Sequence, residues 1–141
     1  MNILLAVDGS PFTKKMLAYL AAHEELLGTS HHYTALTVQP PLPAHARASL
    51  SKELVEEYYE DENQKVLDPV VKFMATKGVA LQTISKVGYI AETIAEVASQ
   101  DKQFDLLVMG SHGHGALATL VMGSVTTKVL AQSTVPVLIV R

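Results

Sequence analysis

The stretch MGSHGHGALATLVMGSV, residues 109–125, decides how this chain folds. The apolar run Leu106-Leu107-Val108-Met109 stops at Gly110, and Gly110, Gly113 and Gly115 then fall within six positions. Gly123-Ser124 opens a run of helical spacing with Val125, Val129 and Leu130 on its inner side. That is a strand, a pliant loop and a helix start. Glycine admits positive φ and lets backbone come close to a ligand, while the unpaired N–H groups and positive dipole end of a helix attract an anion. A phosphate group suits that place. A tight turn with Ser124 as an ordinary N-cap is the simpler account of any single glycine. Two features favour a ligand loop. A strand-to-helix link needs only about two to six residues, and this one is longer. The spacing Gly110, two residues, Gly113, nine residues, Gly123-Ser124 is also far more restrictive than one glycine. At Gly123, just before the helix, any Cβ is expected to fill ligand space or to forbid the backbone angles required.

Outward from this stretch the chain alternates strand and helix. Residues 3–7 form a continuous apolar run broken by Asp8-Gly9-Ser10-Pro11, as in a strand covered on both faces. Ser10 is placed to cap a helix with Pro11 in its first turn, and Met16, Leu17, Leu20 and Ala21 recur at helical spacing. Residues 32–38 read as the second strand, and Pro40, Pro41 and Pro43 predict a stiff extended loop over 39–47. A polar helix follows from Ser49, with Leu50, Leu54 and Tyr58 on one face and the acidic stretch 56–62 mostly on the other. Asp68-Pro69 is expected to interrupt or restart it. Residues 79–87 alternate as a half-buried edge strand, Ile90, Ile94 and Val97 mark a helix, residues 104–109 the fourth strand, and residues 135–140 the last. Five strands alternating with helices predict one α/β domain over residues 1–141: an open parallel five-stranded sheet, order 3-2-1-4-5, with helices on both faces.

Composition narrows the function. With 48% apolar and 18% charged residues the chain is an ordinary globular one, and a net charge of −3 gives no global positive field for nucleic acid or an anionic membrane. Cysteine is absent, which excludes thiolate chemistry and disulfides and fits a reducing compartment. No apolar run reaches membrane-span length, and the start of the chain lacks the basic region of a signal peptide, so the expected location is the cytoplasm.

In an open parallel sheet, ligands sit beyond the carboxyl ends of strands where the winding reverses. Strand order 3-2-1-4-5 puts Asp8 beside the glycine loop. Val7-Asp8-Gly9-Ser10, Gly110, Gly113 and Gly123-Ser124, with the closing Pro136-Val137-Leu138-Ile139-Val140, resemble the nucleotide-binding branch of the universal stress protein family over essentially the whole chain. The resemblance implies an adenine nucleotide (ATP, ADP or AMP) pocket. In it Asp8 and the Val38 backbone meet the adenosine end, and Ala6 and Met109 line the base. Gly110, Gly113, Gly123, Ser124, Val125 and Thr126 hold ribose and phosphates, with the Ser124 and Thr126 hydroxyls as donors. It also implies a homodimer through the apolar residues Val135, Val137, Leu138, Ile139 and Val140 of an edge strand.

One departure stands out. After Gly113, where family members often carry Lys or Arg, this chain reads His114-Gly115-Ala116-Leu117-Ala118-Thr119. Phosphate charge is left to backbone N–H groups, to His112 or His114, or to a divalent ion such as Mg. Rival motifs fail on spacing. A phosphate-binding Walker loop needs Lys where Ala116 stands, and a dinucleotide fingerprint needs an acid near Leu138. His112-x-His114 lacks a third metal ligand at matching spacing. No nucleophile with a positioned base can be named, so catalytic residues are expected to be none. A regulatory or stress-response module that binds nucleotide is the leading reading, beside a slow ATP hydrolase and a nucleotide-free interaction protein.

Overall fold

The computed structural model describes residues 1–114 and 121–141. Five strands, β1 (Asn2–Ala6), β2 (His32–Gln39), β3 (Leu81–Val87), β4 (Leu106–Gly110) and β5 (Val137–Val140), pair in parallel in the order β3-β2-β1-β4-β5. The predicted order holds. The helices are α1 (Pro11–Ala22), α2 (Ala44–Ala48), α3 (Lys52–Thr76), α4 (Ile90–Ser99) and α5 (Ser124–Gln132), with a 3₁₀ turn at Gln100–Lys102.

Strand side chains alternate between two cores, as the period of two requires. On one face Ile3, Leu5 and Tyr33 pack with Met16, Leu17 and Leu20 of α1 and Leu67, Val70 and Met74 of α3. On the other, Leu4, Leu36, Leu107 and Met109 pack with Ala91, Ile94 and Val97 of α4 and Val129 of α5. The central strands are apolar in both phases because both of their faces are covered. β3, at the edge, is largely exposed and half-buries only Leu81 and Ile84. The Tyr33 hydroxyl donates to the Leu26 carbonyl at 2.6 Å, and burial pushes this phenol's pKa up.

Four expectations need correction. The proline-rich segment is extended only as far as Pro43, after which α2 forms; Pro43 itself is the N-cap, its fixed φ being compatible with a helix entry. α3 runs through Pro69 without a break. Pro69 and Lys65, whose carbonyl loses its N–H partner there, are both exposed, so water can replace the missing bond, while Leu67, Val70 and Met74 hold the helix to the sheet. Leu50, Leu54 and Tyr58 are not an inward face: they are 41%, 52% and 44% exposed. A helix of 25 residues is about 37 Å long, against about 26 Å for the eight residues of β2, so about the first two turns of α3 overhang the sheet. Leu130, expected inside, is exposed, and Thr126 and Val129 are the buried positions of α5. Smaller shifts occur at strand ends; β5 begins at Val137 because Ser133 and Val135 bond to each other and Pro136 has no N–H to give.

Candidate functional site

The winding reverses between β1 and β4, where Ala6 lies opposite Met109. A cleft of about 510 Å³ opens at this carboxyl edge. Ala6, Asp8, Val38, Met109, Gly110, Gly113, Gly123, Ser124, Val125 and Thr126 all line it, as do His112 and His114. Residues more than a hundred positions apart thus share one wall. Gly115 and the cation-free positions 116–119 lie outside the described residues.

The β1–α1 turn fixes Asp8. Its Oδ1 accepts from the Ser10 N–H at 2.9 Å and from the Thr13 hydroxyl at 3.0 Å, and its own N–H donates to Thr13 Oγ1 at 3.2 Å. Gly9 at φ +76° makes the turn possible. Ser10 occupies the N-cap by backbone geometry but its side chain caps nothing; the Asp8 carboxylate accepts from the Ser10 N–H, one residue before the helix.

The β4–α5 loop is held against this turn. His114 Nε2 donates to the Asp8 carbonyl at 2.6 Å. A Cβ at Gly113 would stand 2.7 Å from Asp8 Oδ2, and one at Gly110 2.8 Å from Phe12 Cβ, so both glycines are demanded by close approach. Neither they nor Gly123 has positive φ. Gly123 sits at φ −72°, ψ 164°, which any residue adopts, so the expected need for special backbone angles there is corrected. Its constraint is steric: a Cβ would lie 3.3 Å from the Cα of His112.

α5 starts without a side-chain cap, Gly123 being the N-cap and Ser124 the first helical residue. The Gly123 N–H donates to the Ser111 carbonyl at 2.8 Å, so it is spent on the loop. Thr126, almost fully buried, donates its hydroxyl to the Gly110 carbonyl at 3.1 Å. That hydroxyl clamps helix to strand and is not available as the expected phosphate donor. Ser124 is exposed. Gly123, Ser124, Val125 and Thr126 at this helix start line the cleft, which therefore meets the positive end of the helix dipole.

The apolar part of the lining was less legible. Leu36, Thr37, Gln39, Pro40, Ile90 and Ile94 also line the cleft. Ile90 and Ile94 read only as a core stripe, because helical spacing does not tell a core side from a pocket side. Thr13 was missed as well; its place one turn into the helix after Asp8 was the available sign. Among the described residues no group of three or more His, Cys, Asp or Glu could hold a metal ion, and no helix is long and apolar enough to cross a membrane.

The universal stress protein family matches residues 1–141. A universal stress protein of Thermus aquaticus is 34% identical over 99% of this chain and 98% of its own. One of Synechocystis sp. is 33% identical over 99% of this chain, which spans only 42% of that longer relative. Among solved structures, the universal stress protein UspA of Lactobacillus plantarum superposes with a TM-score of 0.80 at 26% identity, covering 100% of this chain and 97% of its own. A family protein of Arabidopsis thaliana solved with AMP bound shares the fold at a TM-score of 0.71 and 18% identity, over 99% of this chain and 90% of its own. The sheet order agrees with these matches, and the chain belongs to the universal stress protein family.

Proposed function

We propose that the chain binds an adenine nucleotide in the cleft between the Asp8 turn and the first turn of α5, and acts as a nucleotide-responsive regulatory module. The observation that carries this reading is that the start of α5 lines the same cleft as the apolar side chains of Leu36, Ile90 and Ile94. A flat apolar base fits those side chains and an anion fits the helix end. Val38 lines the cleft beyond the last β1–β2 pair, Ala6 with Leu36, so that backbone at the end of β2 offers hydrogen bonds to base edges, and Asp8 Oδ2 borders the loop at Gly113. That a protein of this fold is known with AMP bound accords with the reading.

Mass spectrometry of small molecules released on denaturing the purified protein, followed by calorimetric titration of the refolded protein with ATP, ADP and AMP, tests it. Binding by at least one of them is expected. No released nucleotide and no binding after refolding leave the nucleotide-free interaction reading.

Binding proceeds without fast chemistry in this reading. Transfer of a phosphoryl group needs positioned cations and a group that orients water, and residues 109–126 contain neither Lys nor Arg. Any Mg would be carried by the nucleotide phosphates, since the described side chains form no cage for it. ATP turnover is expected far below about one per second. The exposed edge at β5 is proposed to pair with that of a second copy. Val137, Leu138 and Ile139 are half-buried there, and β5 has a partner, β4, on one side only. Light scattering should give a dimer mass for the wild type and a monomer mass for a folded Val137→Lys; a wild-type monomer removes the interface.

A further inference from the structure

We infer that the free edge of β3 takes up an extended segment of a partner protein that carries Lys or Arg at alternate positions. Among the described strands β3 pairs with β2 alone, in unbroken register over Leu81–Val87. Leu81 packs against the core that α3 covers and Ile84 against the core that α4 covers, so Thr83, Ser85 and Val87 share the α3 face. The direction of the backbone groups follows from one bond. The Gly88 N–H donates to the Gln39 carbonyl, so Gly88, Lys86, Ile84 and Gln82 turn their N–H and C=O groups toward β2. Those of Leu81, Thr83, Ser85 and Val87 point out of the sheet, and every residue of the strand but Leu81 and Ile84 is exposed. Proteins blunt such edges with Pro, bulges or charges, since an open row of donors and acceptors templates another strand. β3 has no Pro or bulge, and its one charge, Lys86, lies on the α4 face.

Charge selects the occupant. A second cleft, of about 510 Å³, lies between α3 and β3. Thr83 and Ser85 line it together with Glu56, Glu60 and Asp68, and among the described residues no Lys, Arg or His does. Lys52 stands 3.9 Å from Glu56 in an exposed pair, and Glu60 accepts from the Gln64 amide at 3.4 Å, so all three carboxylates keep their negative charge toward the cleft. A strand added beyond β3 puts every other side chain on this same face, beside those carboxylates. Main-chain bonds then supply the attachment, and the acidic cleft selects basic side chains at alternate positions. A second copy of this chain fits poorly. Antiparallel pairing of two β3 edges sets both α3 helices on one face of the joined sheet and brings the two acidic clefts together, where like charges repel.

Titration of the full chain with a capped peptide as long as β3, alternating Lys with Val and Thr, tests the inference, with hydrogen exchange of the backbone amides read by NMR. Saturable binding is expected, with exchange slowed at the Thr83, Ser85 and Val87 N–H groups. Affinity should fall at least about fivefold between about 50 mM and about 300 mM salt. The same peptide with Glu in place of Lys should bind at least about tenfold more weakly. Of two N-methylated forms of the basic peptide, one blocked at the Lys positions and one at the positions between, at least one should lose binding, since a strand bonds its neighbour through alternate residues. The exposed triple variant Glu56→Gln, Glu60→Gln, Asp68→Asn should weaken the basic peptide at least about fivefold. No saturable binding, slowed exchange at Val137–Val140 in place of β3, full binding by both N-methylated forms, or unchanged affinity in the triple variant overturns the inference. So does a wild type whose own β3 edges pair in solution.

Discussion

Two strand-to-helix links meet at the carboxyl edge of this sheet, and they solve the same problem in opposite ways. Between β1 and α1 the chain takes four residues, 7–10: Asp8 bonds Ser10 and Thr13, Gly9 supplies the one left-handed angle, and the buried Ser10 hydroxyl has no partner among the described residues. Between β4 and α5 it takes residues 111–123 and leaves the helix start without a side-chain cap. In the first link glycine is used for its backbone angle. In the second, glycines at ordinary negative φ are used for the missing Cβ, so that the loop can lie against Asp8 and Phe12. Neither helix start carries a side-chain cap; the links differ in that the short one closes its hydrogen bonds locally, whereas the long one is shaped by close approach to residues far away in the chain.

Substitutions that separate the two links follow, from the largest effect to the smallest. Gly123→Val places a branched side chain 3.3 Å from the His112 backbone and over the helix start; nucleotide binding should be lost with the far-ultraviolet circular dichroism spectrum unchanged. Asp8→Ala strips the acceptor from Ser10 N–H and Thr13 Oγ1. It should lower both stability and adenosine affinity by about 1–3 kcal/mol, read by denaturant melts and calorimetry on the same sample. Gly9→Ala forces a Cβ into the left-handed region at φ +76°, although the nearest atom, Val66 Cγ2, is a tolerable 3.5 Å away. It should cost about 1–2 kcal/mol of stability and leave nucleotide affinity of the folded protein nearly unchanged, which would set the angle-dependent link apart from the ligand-dependent one. Leu54→Lys, on the overhanging first turns of α3, should change stability by no more than about 0.5 kcal/mol, and a larger loss would mean that this end of α3 is packed in solution.

The sheet was legible because its central strands are unbroken apolar runs closed by Asp8-Gly9-Ser10-Pro11, Pro40-Pro41 and Gly110, signals that local sterics enforce whatever surrounds them. Strand order and both covered faces followed from the alternation. The cleft's glycine side was legible for a related reason: spacing in a loop reports close approach. Its apolar side was not, since Ile90 and Ile94 obey the same periodicity whether a helix faces core or cleft. The length of α3 was misjudged at Pro69, where exposure of the freed carbonyl decides the outcome and the sequence shows only the proline. Leu50, Leu54 and Tyr58 mark the same limit: a stripe at helical spacing becomes an inner face only when something lies beneath it, and α3 outruns the sheet there. The hydroxyl of Thr126 was misassigned to a ligand because the carbonyl it binds, at Gly110, is sixteen residues away along the chain.

The central claim is that the start of α5, and not that of α1, receives the anion. Amide chemical-shift mapping during titration with AMP tests it most directly. The account predicts that the N–H resonances of Ser124, Val125 and Thr126 move most, with the field of a phosphate at α5, while those of Ser10 and Thr13 at α1 move little. Saturable binding with the largest shifts at Ser10 and Thr13, or with shifts of equal size at the two helix starts, would contradict it.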